Sequence, residues 1–259
     1  MPRFAANLTM LFNELPFMQR FEAAAKAGFK AVEYLFPYAY DKKELAAALH
    51  ANGLEQVLHN LPAGNWDGGE RGIACHPERA GEFREGVARA IDYATALGCP
   101  QVNCLLGKLP EGLTNGDARK VVVDNLRFAA KELQGAGIRL LIEPINSFDI
   151  PGFYLTRTDQ AVSLIDEVGS PNLLLQYDIY HAQRMEGELG ATLTKNITRI
   201  GHIQLADNPG RGEPGTGEIN YPWLFRHIDS LGYAGWIGCE YKPRATTLDG
   251  LQWRITLTQ

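Results

Sequence analysis

Four oxygen-bearing side chains in the second half of the chain stand at the ends of apolar runs, where a buried β-strand would finish. They are Glu143 in LLIEP, Asp178 in LLLQYD, Gln204 in HIQLAD and Glu240 in WIGCEYKP. A carboxylate rarely lies in such a run unless it is paired or bound to a cation. Each residue alone could cap a loop or helix, pair with an arginine or be a satisfied core amide. Together they predict a ring of oxygen ligands for a divalent metal ion.

The chemistry of such a ring follows from its charges. Three carboxylates at one place repel each other and raise one another's pKa values, and a divalent cation removes this penalty. Oxygen ligands favour Mg²⁺ or Mn²⁺ over Zn²⁺. The cation polarises carbonyl and hydroxyl oxygens and stabilises an enediolate. One carboxylate can then remove the proton next to a carbonyl, and a second can return it to the neighbouring carbon. Glu143 and Glu240 are the pair predicted for this transfer.

Five further residues are candidates for binding the substrate. They are His59, Arg71, His181, Arg211 and Lys242. His181 follows Asp178 by three residues and could face the same pocket, and His59 closes an earlier apolar run. A substrate carboxylate needs a cationic partner, which the two arginines and the lysine could provide. Packing or solvent exposure is the alternative for each of the five.

Glycines at regular places in the chain predict the helices and strands that position these residues. Six glycines follow a stretch with helical spacing and precede an apolar run, as helix C-caps with positive φ do. They are Gly28, Gly53, Gly98, Gly137, Gly169 and Gly232. Helical patterns cover residues 16–27, 78–97 and 118–135, with Phe17, Phe21, Ala24 and Ala25 on one face of the first.

The apolar runs between these patterns are eight strand candidates. They cover residues 4–9, 31–36, 54–61, 100–107, 139–146, 173–180, 201–207 and 235–242. They are short and not strictly alternating, as expected of parallel strands covered by helices. Eight strands alternating with helices predict a single (β/α)8 barrel domain over residues 1–259, with an open doubly wound sheet as the alternative.

Two long loops follow the third and the seventh predicted strands, at residues 61–77 and 207–222. In a barrel both would lie on the C-terminal face and could close over a ligand. The second loop contains G-x-G-x-x-G, at Gly210, Gly212 and Gly215. No helix follows it at once to supply amides to a pyrophosphate, so no nucleotide cofactor is expected.

The composition excludes several classes of protein. The 259 residues carry a formal net charge of −5 and no basic run, which does not favour a nucleic-acid partner. No apolar run approaches the roughly 18 residues that span a bilayer, and MPRFAANL lacks the apolar core of a signal peptide. The four cysteines form no C-x-x-C pair. We therefore expect a cytoplasmic enzyme with reduced thiols and a small-molecule substrate; its oligomeric state, a homo-oligomer included, stays open.

Four long stretches of the chain resemble the hydroxypyruvate isomerase family, within the xylose-isomerase-like barrels. They are HNLPAGNWDGGERGIAC (59–75), IEPINSFDIPGF (142–153), QYDIYHAQRMEGEL (176–189) and DNPGRGEPGTGEINY (207–221). The similarity runs from ANLTMLF at 6–12 to CEYKPR at 239–244, whereas the C-terminal LQWRITLTQ is not typical of the family.

The resemblance implies a (β/α)8 fold and a reversible isomerisation of the aldose–ketose type, in which hydroxypyruvate interconverts with 2-hydroxy-3-oxopropanoate (tartronate semialdehyde). It places the proton donor and acceptor on Glu143 and Glu240. The implied metal ligands are Glu143, Asp178, Gln204 and Glu240. Related ketose 3-epimerases usually have histidine at the third of these positions. Since the amide of Gln204 is a weaker ligand, the resemblance leaves open how tightly the metal binds and whether it is Mg²⁺ or Mn²⁺.

Four other functions compete with this interpretation. A subgroup that shares the catalytic frame isomerises four-carbon 2-oxo acids, as 2-oxo-tetronate isomerases. A ketose 3-epimerase would need a larger polyol pocket and no cationic clamp. A barrel resembling endonuclease IV would want several histidine ligands and a basic face, which six histidines and a net charge of −5 do not favour. A catalytically inactive sugar-binding barrel would bind its ligand without proton exchange.

Overall fold

A computed structural model describes residues 2–258, in which eight parallel strands close into a barrel in sequence order. The strands are β1 (Arg3–Asn7), β2 (Ala31–Glu33), β3 (Glu55–Asn60), β4 (Gln101–Cys104), β5 (Arg139–Ile142), β6 (Leu173–Asp178), β7 (Ile200–Leu205) and β8 (Trp236–Cys239). β8 pairs with β1 and closes the ring. The predicted barrel is confirmed, and the open doubly wound sheet is excluded.

Helices follow the strands in sequence and connect them, apart from the last helix, which lies after β8. They are α1 (Arg20–Lys26), α2 (Lys42–Ala51), α3 (Ala80–Leu97), α4 (Asn115–Gly135), α5 (Thr158–Val168), α6 (Ile179–Met185), α7 (Leu189–Asn196), α8 (Tyr221–Ser230) and α9 (Trp253–Thr256). Short 3-10 turns lie at Phe17–Gln19, Pro77–Arg79, Ile197–Arg199 and Leu248–Gly250. Within residues 2–258, no helix combines the length and apolar character needed to cross a bilayer.

The local signals in the sequence predict these elements well. All six glycines expected after helices have positive φ, from 60° at Gly53 to 84° at Gly28. The helix predicted over 118–135 begins earlier, at Asn115, because the Thr114 hydroxyl accepts a hydrogen bond from the Asp117 amide at 3.2 Å and caps the first turn. The strands are shorter than the apolar runs, since apolar residues continue into the loops that cover the barrel mouth.

The buried apolar side chains form a large core cluster that includes residues of the strands and of the surrounding helices. The C-terminal segment belongs to this core. Trp253 is buried, meets Phe4 edge to face at 5.0 Å and donates a hydrogen bond from Nε1 to the Tyr241 hydroxyl at 3.2 Å. The segment that looked atypical in the sequence therefore packs against β1 and the residues that follow β8.

Strand geometry sets the place of the four oxygen-bearing residues. Glu143 and Glu240 directly follow β5 and β8, Asp178 ends β6, and Gln204 lies next to last in β7. Because all eight strands are parallel, their C-terminal ends meet at one mouth of the barrel. The fold therefore brings residues that are up to 97 positions apart in the sequence to one site.

Candidate active site

The mouth of the barrel holds a cavity of about 500 Å³. Strand ends contribute Glu143, Gln204 and Glu240 to its wall, and α6 contributes His181. Both long loops also reach it, with Trp66 and Arg71 from the first, and Arg211 from the second. The predicted placement of these loops at the C-terminal face is confirmed.

Three carboxylates and one arginine form the charged centre of this site. The Oδ2 atom of Asp178 lies 3.5 Å from Arg211 Nη2, which lies 2.9 Å from Glu240 Oε2. Glu143 Oε2 accepts a hydrogen bond from Asn103 Nδ2 at 2.9 Å. All three carboxylates are at least 94% buried, so their charges are poorly screened by water. Arg211 therefore links Asp178 and Glu240 into one electrostatic unit.

Burial and mutual repulsion raise the pKa values of these carboxyl groups. Burial, followed by the charges of Glu240 and Asp178, raises the pKa of Glu143 well above its usual range. Burial also raises the pKa of Glu240 to about 8, although Arg211 acts in the opposite direction. Burial likewise raises the pKa of Asp178. Carboxyl groups with pKa values near or above neutrality can serve as both proton donors and acceptors.

His181 lies between two of these carboxylates. Its Nε2 atom is 3.6 Å from Asp178 Oδ2 and 4.0 Å from Glu143 Oε1. Burial lowers the pKa of His181 well below 6.5, and the charge of Arg211 lowers it further. The ring is therefore neutral at physiological pH.

The residues present fit a divalent cation. Glu143 and Asp178 offer carboxylate oxygens that lie, together with a ring nitrogen of His181, within 4.8 Å of one another. Asp178 Oδ2 is buried and has no hydrogen-bond partner among the described residues. A buried carboxylate oxygen without a hydrogen bond is costly even beside the guanidinium of Arg211, and a bound cation would reduce this cost.

A polar network around Glu33, at the end of β2, lies beside this centre. Glu33 is 1% exposed, and its Oε1 accepts hydrogen bonds from Asn7 Nδ2 at 2.9 Å and Gln204 Nε2 at 2.7 Å. Its Oε2 lies 2.6 Å from Nε2 of His202. The Gln204 oxygen in turn accepts from Gln176 Nε2 at 2.6 Å. Gln204 is thus held at both ends of its amide.

Space for the Glu33 carboxylate comes from a glycine on β8, which is separated from β2 only by β1. A Cβ atom at Gly238 of β8 would lie 2.3 Å from both carboxylate oxygens of Glu33. No side chain can occupy that position without moving the carboxylate. The small residue in β8 and the acidic residue in β2 therefore depend on each other.

Comparison with known proteins assigns the family. Residues 21–257 match the family model described as "Xylose isomerase-like TIM barrel". The chain belongs to this family. It is 60% identical over 253 residues to the hydroxypyruvate isomerase of Escherichia coli (strain K12), covering 98% of each chain. It is 49% identical to the 2-oxo-tetronate isomerase of Cupriavidus necator, covering 98% of this chain and 97% of that protein.

A solved structure has the same fold. The structure described as an AP endonuclease, family 2, from Brucella melitensis superimposes with a TM-score of 0.96 at 45% identity, covering 98% of each chain. The family resemblance predicted from the sequence is thus confirmed, and so is the xylose-isomerase-like barrel.

The structure brings most of the predicted site residues together. The cavity wall includes seven of them: Arg71, Glu143, His181, Gln204, Arg211, Glu240 and Lys242. Asp178 lies directly behind the wall, next to His181 and Arg211. His59 is the residue that the structure does not bring to the cavity. It alternates in β3 with Leu58 and Asn60, which line the cavity, so its ring points away from the barrel interior.

The position of His59 predicts a pH dependence of stability. The ring is 0% exposed, its Nδ1 atom lies 3.0 Å from the Asn60 carbonyl oxygen, and burial lowers its pKa to about 4. In the unfolded chain the histidine pKa is near 6.5, so the ring binds a proton below that pH. The folded protein binds this proton only near pH 4. The free energy of unfolding therefore falls as pH falls from about 6.5 to 4. Between pH 7.5 and 5, the wild type is expected to lose about 2 kcal/mol more unfolding free energy than His59→Asn. Urea unfolding at each pH would measure the free energy of unfolding. An equal loss between pH 7.5 and 5 in the wild type and in His59→Asn would contradict this prediction.

Several site residues were missed in the sequence. Glu33, His202, Asn103 and Asn7 contact predicted site residues or one another but were not selected. A signal existed for the first two. Glu33 interrupts the apolar run AVEYLF as Glu143 interrupts LLIEP, and His202 precedes Gln204 by two residues on the same strand. The asparagines carry no comparable signal, because buried asparagines are common in loops and at strand ends.

Proposed function

We propose that this protein is an isomerase of short hydroxy-oxo acids that interconverts hydroxypyruvate and 2-hydroxy-3-oxopropanoate. The observation that carries the proposal is the pair of buried glutamates, Glu143 and Glu240, that face one cavity and have raised pKa values. The 60% identity to a hydroxypyruvate isomerase supports the reaction and the substrate. It also supports placing this protein among the isomerases that interconvert aldoses and ketoses.

The two glutamates move the proton between neighbouring carbons. One carboxylate removes a proton from C3 of hydroxypyruvate while the C2 carbonyl oxygen gains a proton, which gives an enediol. The other glutamate then delivers a proton to C2 as the C3 hydroxyl loses its proton and becomes the aldehyde. A positive charge beside the reacting oxygens stabilises the enediolate character of the transition state, and Arg211 lies 2.9 Å from Glu240.

A divalent cation, Mg²⁺ or Mn²⁺, is the cofactor that we infer for this site. Glu143 and Asp178 would hold it, with Gln204 and Glu240 as the further ligands that the resemblance implies. Bound there, the cation would favour the ionised carboxylates and polarise substrate oxygens. The Gln204 oxygen already accepts a hydrogen bond from Gln176, so its share in cation binding uses its second lone pair.

The substrate carboxylate would be bound at the rim of the cavity. Lys242 and Arg71 line the cavity, and within residues 2–258 neither is ion-paired with an acidic side chain. Arg71 stacks over the Trp66 ring at 4.1 Å and donates to the Trp66 and Glu70 carbonyl oxygens. These contacts orient Arg71, whereas the Lys242 side chain is exposed, and each of the two cations can pair with an anionic substrate.

Lys242→Met is expected to raise KM for hydroxypyruvate about tenfold with little change in kcat, because a charge-assisted contact to the non-reacting carboxylate is lost. Steady-state kinetics would measure this. Lys131→Met, which removes an exposed charge from α4, is the matched control and should leave KM unchanged. An unaltered KM in Lys242→Met would place the substrate carboxylate elsewhere.

The four-carbon 2-oxo-tetronates are the second substrate candidates, supported by the 49% identity to a 2-oxo-tetronate isomerase. The test of the proposal is a panel of three- to six-carbon hydroxy-oxo acids and ketoses, assayed with and without a chelator. Highest kcat/KM for hydroxypyruvate supports the proposal. Preference for the four-carbon acid would assign the second function, and preference for a free ketohexose would assign an epimerase.

Binding of nucleic acid by this site is not supported by its composition. His181 is the histidine among the described lining residues, and Glu143 and Glu240 bring negative rather than positive charge. The formal net charge of the chain is −5. A small anionic substrate that meets three basic side chains inside a cavity fits these charges better than a polyanion does.

A further inference from the structure

The two ring nitrogens of His181 face different surroundings. Nδ1 lies 2.6 Å from Asn146 Nδ2 and 3.4 Å from the Asn146 backbone nitrogen. Nε2 faces the cavity side, 3.6 Å from Asp178 Oδ2 and 4.0 Å from Glu143 Oε1. The proton of the neutral ring can be on either nitrogen, and the partners of Nδ1 decide which one carries it.

The orientation of the Asn146 amide is fixed by the loop that follows β5. Its Oδ1 atom accepts hydrogen bonds from the backbone nitrogens of Phe148 at 3.1 Å and Asp149 at 2.8 Å. Its Nδ2 atom also donates to Asp149 Oδ2 at 3.1 Å. A rotated amide would set its NH2 group against two backbone N–H groups and its oxygen against a carboxylate. Both groups aimed at His181 Nδ1 are therefore donors.

A ring nitrogen that faces two donors has to be the acceptor, so Nδ1 carries no proton. We propose that Asn146 is a positioning residue that fixes His181 as the Nε2–H tautomer, so that the ring presents a hydrogen-bond donor to the active site. Asn146 has this role through His181, because it is fully buried and is not among the residues that line the cavity.

This tautomer decides what His181 can do in the cavity. A protonated Nε2 has no lone pair for a cation, so cation binding falls to the oxygen ligands although His181 lies within reach of Glu143 and Asp178. The Nε2–H group instead donates to a carboxylate or to a substrate oxygen on which negative charge develops. The role in catalysis rests on the proposed function, whereas the tautomer itself does not.

Nitrogen-15 NMR of the substrate-free, full-length protein tests the tautomer directly. Protonated and unprotonated ring nitrogens resonate far apart, and the His181→Gln variant assigns the signal. The expected result for the wild type at pH 7.5 is an unprotonated Nδ1 and a protonated Nε2. In Asn146→Asp, a carboxylate oxygen would accept from Nδ1–H, so the tautomer should reverse. If this variant misfolds because two carboxylates face each other, the double variant Asn146→Asp/Asp149→Asn places an amide donor opposite the new carboxylate. The reversed tautomer is expected there too.

The matched control is Asn125→Asp. Asn125 is a buried asparagine of α4 that donates to the Ala74 carbonyl oxygen at 2.9 Å, away from His181, so its replacement should leave the tautomer unchanged. A protonated Nδ1 in the wild type would overturn the proposal, as would a wild-type tautomer in a folded Asn146→Asp variant.

Kinetics separate this role from the proposed function. Asn146→Asp should lower kcat/KM for hydroxypyruvate at least tenfold, while Asn125→Asp should not. A wild type with the expected tautomer and no isomerase activity would refute the proposed function and support the assignment of Asn146. A wild type that is active but has the proton on Nδ1 would support the proposed function and refute the assignment of Asn146.

Discussion

Replacing Glu143 or Glu240 by glutamine is expected to lower kcat for hydroxypyruvate about a thousandfold, with the fold intact. A glutamine has the shape of glutamate but can neither take a proton from C3 nor deliver one to C2, and general acid–base catalysis typically contributes 10²- to 10⁴-fold. KM should change much less, because the amide oxygen at position 240 can still accept from Arg211. Following product formation by proton NMR would measure kcat for each variant.

The matched control for these two variants is Glu213→Gln. Glu213 is also a buried glutamate, but it accepts a hydrogen bond from the Arg244 backbone nitrogen at 2.8 Å and does not line the cavity. Its replacement should leave kcat within about threefold of the wild type, since Glu213 does not line the cavity that holds the reacting groups. A kcat near that of the wild type in Glu143→Gln would show that Glu143 does not transfer the proton.

Replacing Glu33 by leucine is expected to destabilise the protein by about 4 kcal/mol or more, which corresponds to a fall in Tm of roughly 10 °C. The leucine leaves three buried donors, on Asn7, His202 and Gln204, without their acceptor. Each such group costs about 1–3 kcal/mol. Thermal unfolding followed by circular dichroism would measure the shift.

Gln56→Leu is the control for Glu33→Leu. Gln56 is as buried as Glu33, but its oxygen accepts from one donor, the Tyr34 hydroxyl, and its nitrogen has no partner among the described residues. The expected loss is therefore about 1 kcal/mol. Equal Tm values for wild type and Glu33→Leu would show that the Glu33 network adds nothing to stability.

The sequence predicts the fold and the charged centre because both depend on local signals. Glycine after a helix and a carboxylate inside an apolar run each have a physical cause that acts over a few residues. The same signal is present at Glu33, where a carboxylate interrupts the apolar run AVEYLF. Placement on the correct barrel face then follows from parallel strands.

Contacts made by loop residues could not be predicted in the same way. Arg211 reaches Asp178 and Glu240 from a loop in which its own φ is 57°, a conformation that nothing in its residue type requires. Asn146 meets His181 because the turn at 146–149 folds back on α6. Conversely, His59 was a candidate for binding the substrate, yet its place in β3, between two cavity-lining residues, directs its side chain away from the cavity.

Isomerisation of hydroxypyruvate in deuterium oxide tests the central claim most directly. If Glu143 and Glu240 transfer the proton, the carboxyl that protonates C2 exchanges with solvent, and NMR should show deuterium at C2 of the 2-hydroxy-3-oxopropanoate formed in a single turnover. Glu143→Gln and Glu240→Gln should both suppress this incorporation together with product formation. A product that keeps only protium at C2, formed at the wild-type rate by either variant, would contradict proton transfer by this pair.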